Sequence, residues 1–222
     1  MCRPLRPLTL LLCALASPAL AATDDAGPPF GQLELVDEVN AGDPADPHPF
    51  HENPSGASKL VELLGRKARA LPMQDSAQVM AWKLGAGKGL VAGRAYLLVV
   101  EYPEDTGRQM VIINRGADET RTLATGQTIG DAREGYTYPA PESLKYPLTG
   151  RWERHRTLFF LHERFQGLTS GRDESNRTYV DDPAKGFWVI VGHFRRKDSP
   201  LDARDAVGGG LQLFALGLGM GT

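Results

Sequence analysis

Cysteine is almost absent from this chain. Of its 222 residues only Cys2 and Cys13 are cysteines, and both lie close to the N terminus. Residues 1–21 have the features of a secretory signal peptide, so we expect their removal to leave a mature chain without any thiol. A chain without thiols has no disulfide, no cysteine nucleophile and no thiolate zinc site. Its stability must then come from its core.

The signal peptide is predicted from three consecutive features. Arg3 and Arg6 give a positively charged start, residues 8–16 form an apolar stretch, and residues 19–21 are Ala-Leu-Ala, a small-x-small cleavage pattern. We therefore expect export to the periplasm or the extracellular space. The apolar stretch is shorter than the ~20 residues that span a bilayer, so we expect no stable membrane insertion after cleavage.

An excess of charge of one sign is also lacking. Lys and Arg total 25 and Asp and Glu total 27, which gives a formal net charge of -2. Such a balance provides no electrostatic attraction for nucleic acid, and we expect no nucleic-acid partner. The dinucleotide-binding glycine pattern, the P-loop and the G-x-S-x-G nucleophile turn are absent as well. We therefore expect no cofactor, and the sequence assigns no catalytic residue.

Glycine and proline are abundant instead, with 25 and 16 residues, as expected for many turns between short strands. Runs rich in β-branched and aromatic residues between these turns predict eight strands. They span residues 33–39, 66–71, 78–84, 95–102, 109–114, 156–162, 187–194 and 211–216. One short helix is predicted at residues 58–64, with Ser58 as its N-cap and Gly65 at its end.

Eight strands and little helix predict an all-β protein, an antiparallel β-sandwich of the jelly-roll type with one short helix. We expect a flexible lead-in at residues 22–32, a single β-sandwich domain at 33–216 and a tail at 217–222. Alternation along the strands also predicts which side chains lie between the sheets. They are Tyr96, Leu98, Val100, Leu158, Phe160, Val189, Val191 and Leu213.

Three segments between the predicted strands are too long for simple turns, namely 40–57, 115–155 and 163–186. Long connections in a compact domain are usually functional or disordered. If successive strands alternate in direction, the first two segments lie at the same end of the sandwich. A further strand at 121–125 would change that arrangement.

The second of these segments supplies the candidate ligand-binding residues. Arg115 and Asp118 directly follow a strand, and Tyr136, Tyr138 and Tyr146 form the densest aromatic stretch of the chain. Tyrosine rings stack on sugar rings, while Arg and Asp bind hydroxyl groups with fixed geometry. We therefore predict a shallow ligand surface made by these five residues. The same residues also fit a turn closed by an Arg–Asp pair and a loop that buries its own tyrosines.

A second polar cluster contains His48, His51 and Glu52 within five residues. Imidazole and carboxylate groups are metal ligands when they converge on one point. The neighbouring prolines exclude a regular helix here, and the cluster fits a polar loop as well as a metal site. We assign no metal ligand to it.

Two stretches resemble jelly-roll carbohydrate-binding modules. Residues 89–102, GLVAGRAYLLVVEY, are similar to the L-x-x-G-x-x-Y-x-L-x-V strand entry of these modules, and residues 148–152, LTGRW, are similar to their L-t-x-x-W strand. The resemblance extends over residues 89–216 and implies a galactose-binding-like sandwich, as in non-catalytic blocks of large exported bacterial proteins of glycan metabolism. It identifies no ligand residue. Three glycines, 208–210, stand where many such modules have an acidic residue near a calcium site.

Three functions agree with these observations. The first is an exported, non-catalytic β-sandwich that binds a polysaccharide or another glycan. The second is a structural or protein-interaction module of the cell envelope. The third is a glycan-active hydrolase or lyase with acids and histidines in the long segments. An exposed aromatic platform favours the first function, a flat apolar patch the second, and a cleft with converging His and carboxylate groups the third.

Overall fold

The computed structural model of this chain describes residues 23–72, 74, 76–125, 147–168, 178–193 and 205–216. Its strands are β1 (Thr23–Asp25), β2 (Gln32–Asn40), β3 (Phe50–Asn53), β4 (Lys59–Leu63), β5 (Arg66–Leu71), β6 (Gln78–Leu84), β7 (Ala95–Pro103), β8 (Arg108–Asn114), β9 (Glu119–Thr125), β10 (Trp152–Phe160), β11 (Phe165–Gln166), β12 (Tyr179–Val180), β13 (Phe187–His193), β14 (Ala206–Gly208) and β15 (Gly210–Ala215). A 3-10 turn covers Pro183–Lys185.

Two five-stranded antiparallel sheets form the body of the fold. The first sheet has the order β1-β2-β15-β7-β10, and the second has the order β3-β6-β13-β8-β9. A three-stranded sheet, β14-β5-β4, and the hairpin β11-β12 complete the described part of the chain. Side chains from both large sheets meet in one buried cluster that includes Leu98, Val189 and Leu213. The predicted all-β antiparallel sandwich is therefore confirmed.

Strand β7 is apolar on both faces because both faces are covered. Tyr96 and Leu98 point into the core between the sheets, while Leu97 and Val99 belong to a second cluster on the outer face of the first sheet. Ala26 is buried in that outer cluster, and β1 pairs with β2. Part of the segment that we predicted as a flexible lead-in thus forms the edge of the first sheet and covers its outer face.

Strand β10 differs from the sequence prediction by one residue of register. Leu158 and Phe160 were predicted to be buried, but they are 47% and 62% exposed. Thr157, Phe159 and Leu161 are buried instead. Because successive side chains of a strand point to opposite faces, a shift of one residue exchanges the buried and exposed sets.

The helix predicted at residues 58–64 is wrong, because this segment contains strand β4. Val61 and Leu63 pack against a small cluster under Trp152, while Leu60 and Leu64 are exposed. This alternation is that of a strand and follows from the pairing of β4 with β5. Leu64 and Gly65, with φ values of 48° and 73°, make the tight turn that joins the two strands.

All three of the long predicted connections contain strands, and the third, 163–186, contains β11 and β12. Strand β3 lies within 40–57, and β9 lies within 115–155 and pairs with β8 in register from Asn114 to Arg108. The additional strand at 119–125 changes the direction of the chain that follows it. The argument that placed both connections at one end of the sandwich therefore no longer applies.

Candidate functional site

The turn between β8 and β9 carries two of the predicted ligand residues. The Arg115 side chain donates from Nη1 to Oε1 of Gln166 at 3.0 Å. Asp118 is exposed, and its φ of 49° lies in the left-handed region that Asp tolerates better than most residues. Tyr136, Tyr138 and Tyr146 lie outside the described residues, so their contribution to the ligand surface stays a prediction.

An open cleft of roughly 200 Å³ lies on the outer face of the second sheet, and we call it the outer cleft. Its lining includes His51, Asn53, Val79, Ile113, Arg115 and Ile190. The residues next to Ile190 in β13, Val189 and Val191, point into the core, so Ile190 itself faces outward. The outer cleft combines an apolar floor with imidazole, amide and guanidinium groups at its rim.

The hairpin β11-β12 lies beside the outer cleft. Phe165 anchors the hairpin, because its side chain is buried in the core with its ring edge-on to that of Phe187 at 6.3 Å. Gln166 pairs with Tyr179, so both side chains lie on the opposite face of the hairpin. Since Gln166 accepts the bond from Arg115, the hydrogen bond connects the cleft to the Tyr179 side of the hairpin.

Tyr179 is a solvent-exposed aromatic residue whose ring contacts a paired guanidinium group. Its residue surface is 44% exposed, and the Arg164 guanidinium lies 4.2 Å from the ring centroid. Nε of Arg164 lies 2.9 Å from Oδ1 of Asp181. We call these three residues the Tyr179 platform. The guanidinium covers one face of the ring and is itself paired with Asp181, so the exposed remainder of the ring is presented to solvent next to a donor and an acceptor.

The residues His48, His51 and Glu52 do not converge. His51 lines the outer cleft, and Glu52 accepts hydrogen bonds from the backbone N–H groups of Gly56 and Ser58 at 2.5 and 3.0 Å. Burial acts against the charged form, but these bonds and the Ser58 hydroxyl outweigh it and lower the pKa of Glu52. In the described part of the chain no group of three or more His, Cys, Asp or Glu residues is arranged to hold a metal ion.

His48 bridges two carboxylates instead, and we call Asp37, His48 and Asp46 the His48 clamp. Nδ1 lies 2.7 Å from Asp46 Oδ1, and Nε2 lies 3.0 Å from Asp37 Oδ1. The other oxygen of Asp37 accepts the backbone N–H of Gly85 at 2.7 Å, and Lys88 Nζ lies 3.7 Å from Oδ1. The clamp therefore connects β2, the loop that leads to β3, and the turn between β6 and β7.

The geometry of the clamp favours the protonated imidazole. Both ring nitrogens face a carboxylate oxygen, and both can donate only in the imidazolium form. Burial disfavours the charged form, but the hydrogen bonds to Asp37 and Asp46 and their negative charges outweigh burial and raise the pKa of His48.

Two other histidines lie within the sandwich. His193 is buried, and its Nε2 lies 3.4 Å from the carbonyl oxygen of Pro72. His155 lies 3.3 Å from the Thr157 hydroxyl through Nε2. Burial is the main reason why the pKa of each of these histidines is lowered, so the neutral imidazole is favoured in both.

The described residues contain no helix that is long and apolar enough to cross a membrane.

Comparison with known proteins gives structural matches but no sequence match. No family model matches the chain, and no curated protein matches it. Solved structures that match include a family 35 carbohydrate-binding module from Clostridium thermocellum, with 13% identity over 81% of this chain and 98% of that chain and a TM-score of 0.38. A carbohydrate-binding module of Cellvibrio mixtus lichenase 5A in complex with cellotriose has 8% identity, covers 82% and 98% of the two chains and has a TM-score of 0.38.

A third structure contains a carbohydrate-binding module and a catalytic module of Clostridium thermocellum xylanase 10B in complex with xylohexaose. Its identity is 12%, its coverage is 83% of this chain and 28% of that chain, and its TM-score is 0.36. At these TM-scores the likeness carries no argument about the ligand of this chain or about the residues that bind it.

Proposed function

We propose that this chain is an exported, non-catalytic glycan-binding protein. The observation that carries the proposal is the Tyr179 platform, where the Arg164 guanidinium lies 4.2 Å from the centroid of an exposed ring and 2.9 Å from the Asp181 carboxylate. An exposed tyrosine ring stacks on the C–H face of a sugar, and the charged groups at its rim donate to and accept from the hydroxyls. A ring that is already oriented loses little conformational entropy on binding.

The outer cleft supplies the path for the rest of the glycan. Arg115 lines the cleft and is joined to the hairpin by its bond to Gln166 at 3.0 Å. His51 and Asn53 from β3 add polar groups on the other side of the apolar floor. An extended glycan then runs from the Tyr179 platform into the outer cleft. The expected affinity is modest, because an open cleft desolvates few groups fully.

The predicted tyrosine stretch is the proposed continuation of this surface. Tyr136, Tyr138 and Tyr146 follow Arg115 and Asp118 along the chain, and they offer the same stacking chemistry as Tyr179. We propose that these three tyrosines contribute to glycan binding together with Arg115 and Asp118.

Replacing Tyr179 with alanine is expected to weaken glycan binding about tenfold, which corresponds to the loss of one stacking contact. The thermal midpoint is expected to change little, because the ring is 44% exposed. Isothermal titration with cellotriose and xylohexaose, followed by retention on insoluble polysaccharides, measures the effect. Phe160→Ala is the matched control, since Phe160 is an aromatic residue that is 62% exposed on the first sheet.

Equal loss of binding in the Tyr179→Ala and Phe160→Ala proteins contradicts the proposed site, as does full binding by Tyr179→Ala. The release of new reducing ends from any bound polysaccharide contradicts the non-catalytic part of the proposal. Support for that part comes from His155 and His193, which hydrogen-bond to the Thr157 hydroxyl and the Pro72 carbonyl.

The outer side of β10 favours a second candidate function, that of a protein-interaction module of the cell envelope. Leu158 and Phe160 are large apolar residues with exposures of 47% and 62% on the last strand in the order of the first sheet. Exposed apolar residues next to one another are typical of protein contacts. Under this function Phe160→Ala, and not Tyr179→Ala, disrupts the physiological complex.

Export is expected to remove residues 1–21. The positive start, the apolar stretch and the Ala-Leu-Ala sequence support cleavage before Ala22. N-terminal sequencing of the protein recovered from the periplasm or the medium of its host is expected to begin at Ala22. Functional protein that retains Met1 contradicts this expectation.

A further inference from the structure

A second cleft lies at the end of the first sheet, on the opposite side of the sandwich from the outer cleft. Its volume is about 440 Å³, and we call it the polar cleft. Its lining includes Glu38, Asp46, Arg66, Lys67, Glu101 and Gly210. Val39, Val100 and Leu211 belong to the core cluster, so Glu38, Glu101 and Gly210 next to them face outward, and these three residues line the cleft.

The carboxylates of the polar cleft are held by partners around it. Glu101 lies 2.5 Å from Arg66 and 3.2 Å from Arg154, and Glu38 accepts a bond from Gln212 Nε2 at 2.9 Å. Asp46 belongs to the His48 clamp and also accepts the backbone N–H of Asn40 at 2.8 Å. Side chains that are fixed before a ligand arrives lose little entropy when it binds.

Steric space explains the glycines at residues 209 and 210, because neighbouring side chains occupy the position of a Cβ atom or lie close to it. A Cβ on Gly209 would lie 2.3 Å from the Trp152 ring, and a Cβ on Gly210 would lie 3.2 Å from the Glu101 carboxylate. Neither glycine has a positive φ, so the backbone does not require them. A side chain at position 210 would project towards Glu101 and fill the cleft, and glycine at this position keeps it open.

The composition of the lining selects the class of ligand. Arg66 and Lys67 disfavour a metal cation, and the three carboxylates disfavour an anion. A hydroxyl group both donates and accepts, so it bonds equally well to carboxylates and to guanidinium or ammonium groups. The volume falls within the range of about 300–1,000 Å³ that is typical of small-molecule sites.

We propose that the polar cleft is a second ligand site that binds one or two neutral, hydroxyl-rich sugar rings, independently of the Tyr179 platform. The polar cleft and the Tyr179 platform share no residue, so binding in the polar cleft does not require the platform. The inference does not depend on the outer cleft, and the experiment separates the two.

Nuclear magnetic resonance of the labelled full chain tests the proposal. Titration with D-glucose, D-galactose and D-xylose is expected to shift the backbone amide signals of Gly209 and Gly210 until they saturate with at least one sugar. Gly210→Val, which fills the cleft, and Lys67→Met, which removes an exposed donor, are each expected to weaken this response at least fivefold. Glu34→Gln is the control, because Glu34 is a carboxylate on β2 that pairs with Arg94 outside the cleft.

The outcomes distinguish this inference from the proposed function. A saturable response at Gly209 and Gly210 that persists in Tyr179→Ala supports the second site, whatever happens at the platform. No saturable response to any of the three sugars overturns it. A response to the zwitterion alanylalanine without a response to sugars also overturns it, as does an unchanged response in both Gly210→Val and Lys67→Met.

Discussion

Replacing Phe159 with alanine is expected to lower the free energy of unfolding by about 3–5 kcal/mol. Phe159 is 4% exposed, and its ring lies between those of Tyr96 and Phe187, with centroid distances of 6.0 and 5.6 Å. Its removal leaves a cavity between the two sheets that neighbouring strands cannot close without losing their register. Equilibrium unfolding in urea, followed by tryptophan fluorescence and circular dichroism, measures the loss.

Phe160→Ala is the control within the same strand. The side chain of Phe160 is 62% exposed, so its replacement is expected to change the free energy of unfolding by about 0.5 kcal/mol or less. If Phe160→Ala costs as much as Phe159→Ala, the register of β10 against β7 described above is wrong.

The difference between these two residues shows what the sequence predicts well and what it does not. The apolar run predicts a strand at residues 156–162, and the structure has β10 paired with β7 from Trp152 to Phe160. The sequence does not predict which face of β10 is buried, because residues 157–161 are Thr-Leu-Phe-Phe-Leu and carry no alternation between polar and apolar side chains. The face is set by the pairing with β7, which a local pattern does not contain.

The segment at 58–64 shows the same limit. Its apolar residues fit a helix stripe and a strand alternation equally well over so short a length. Strand β4 forms because β5 offers it a partner, and Val61 and Leu63 then cover Ala68 and Ala70. Tertiary pairing decides between two local preferences of similar strength.

The candidate site was predictable only in part. Arg115 was identified from its place directly after a strand, and the structure puts it in the lining of the outer cleft. Tyr179 was missed because β11 and β12 have two residues each, which is too short for any periodic signal. Its one sequence signal was its place in the long segment 163–186. One of the two partners of His48 was also hidden, because Asp37 lies eleven residues earlier in a strand.

Replacing Asp37 with alanine is expected to lower the free energy of unfolding by about 3 kcal/mol, since it removes the acceptor that faces Nε2 of His48, while Asp46 remains the partner of Nδ1. The Asp37 side chain is 4% exposed, and the substitution also removes the acceptor of the Gly85 N–H. Asp43→Ala in the adjacent loop is the control. Its exposed carboxylate accepts only the local N–H of Ala45 at 2.9 Å among the described bonds, so about 1 kcal/mol or less is expected.

The pH dependence of the free energy of unfolding tests whether the charged imidazole of His48 contributes to stability. The pKa of His48 is raised in the folded state, so its contribution is fully present below about pH 6.5, the value in the unfolded chain, and is lost as the pH rises through the folded pKa. The free energy of unfolding is therefore expected to fall above pH 6.5, and this slope is expected to disappear in His48→Asn. The pKa values of His155 and His193 are lowered in the folded state, so these two residues affect stability only at acid pH. Their effect is a fall in the free energy of unfolding as the pH decreases below 6.5. If the free energy of unfolding has the same pH dependence in the parent and in His48→Asn above pH 6.5, the charged imidazole does not stabilise the fold through the two carboxylates.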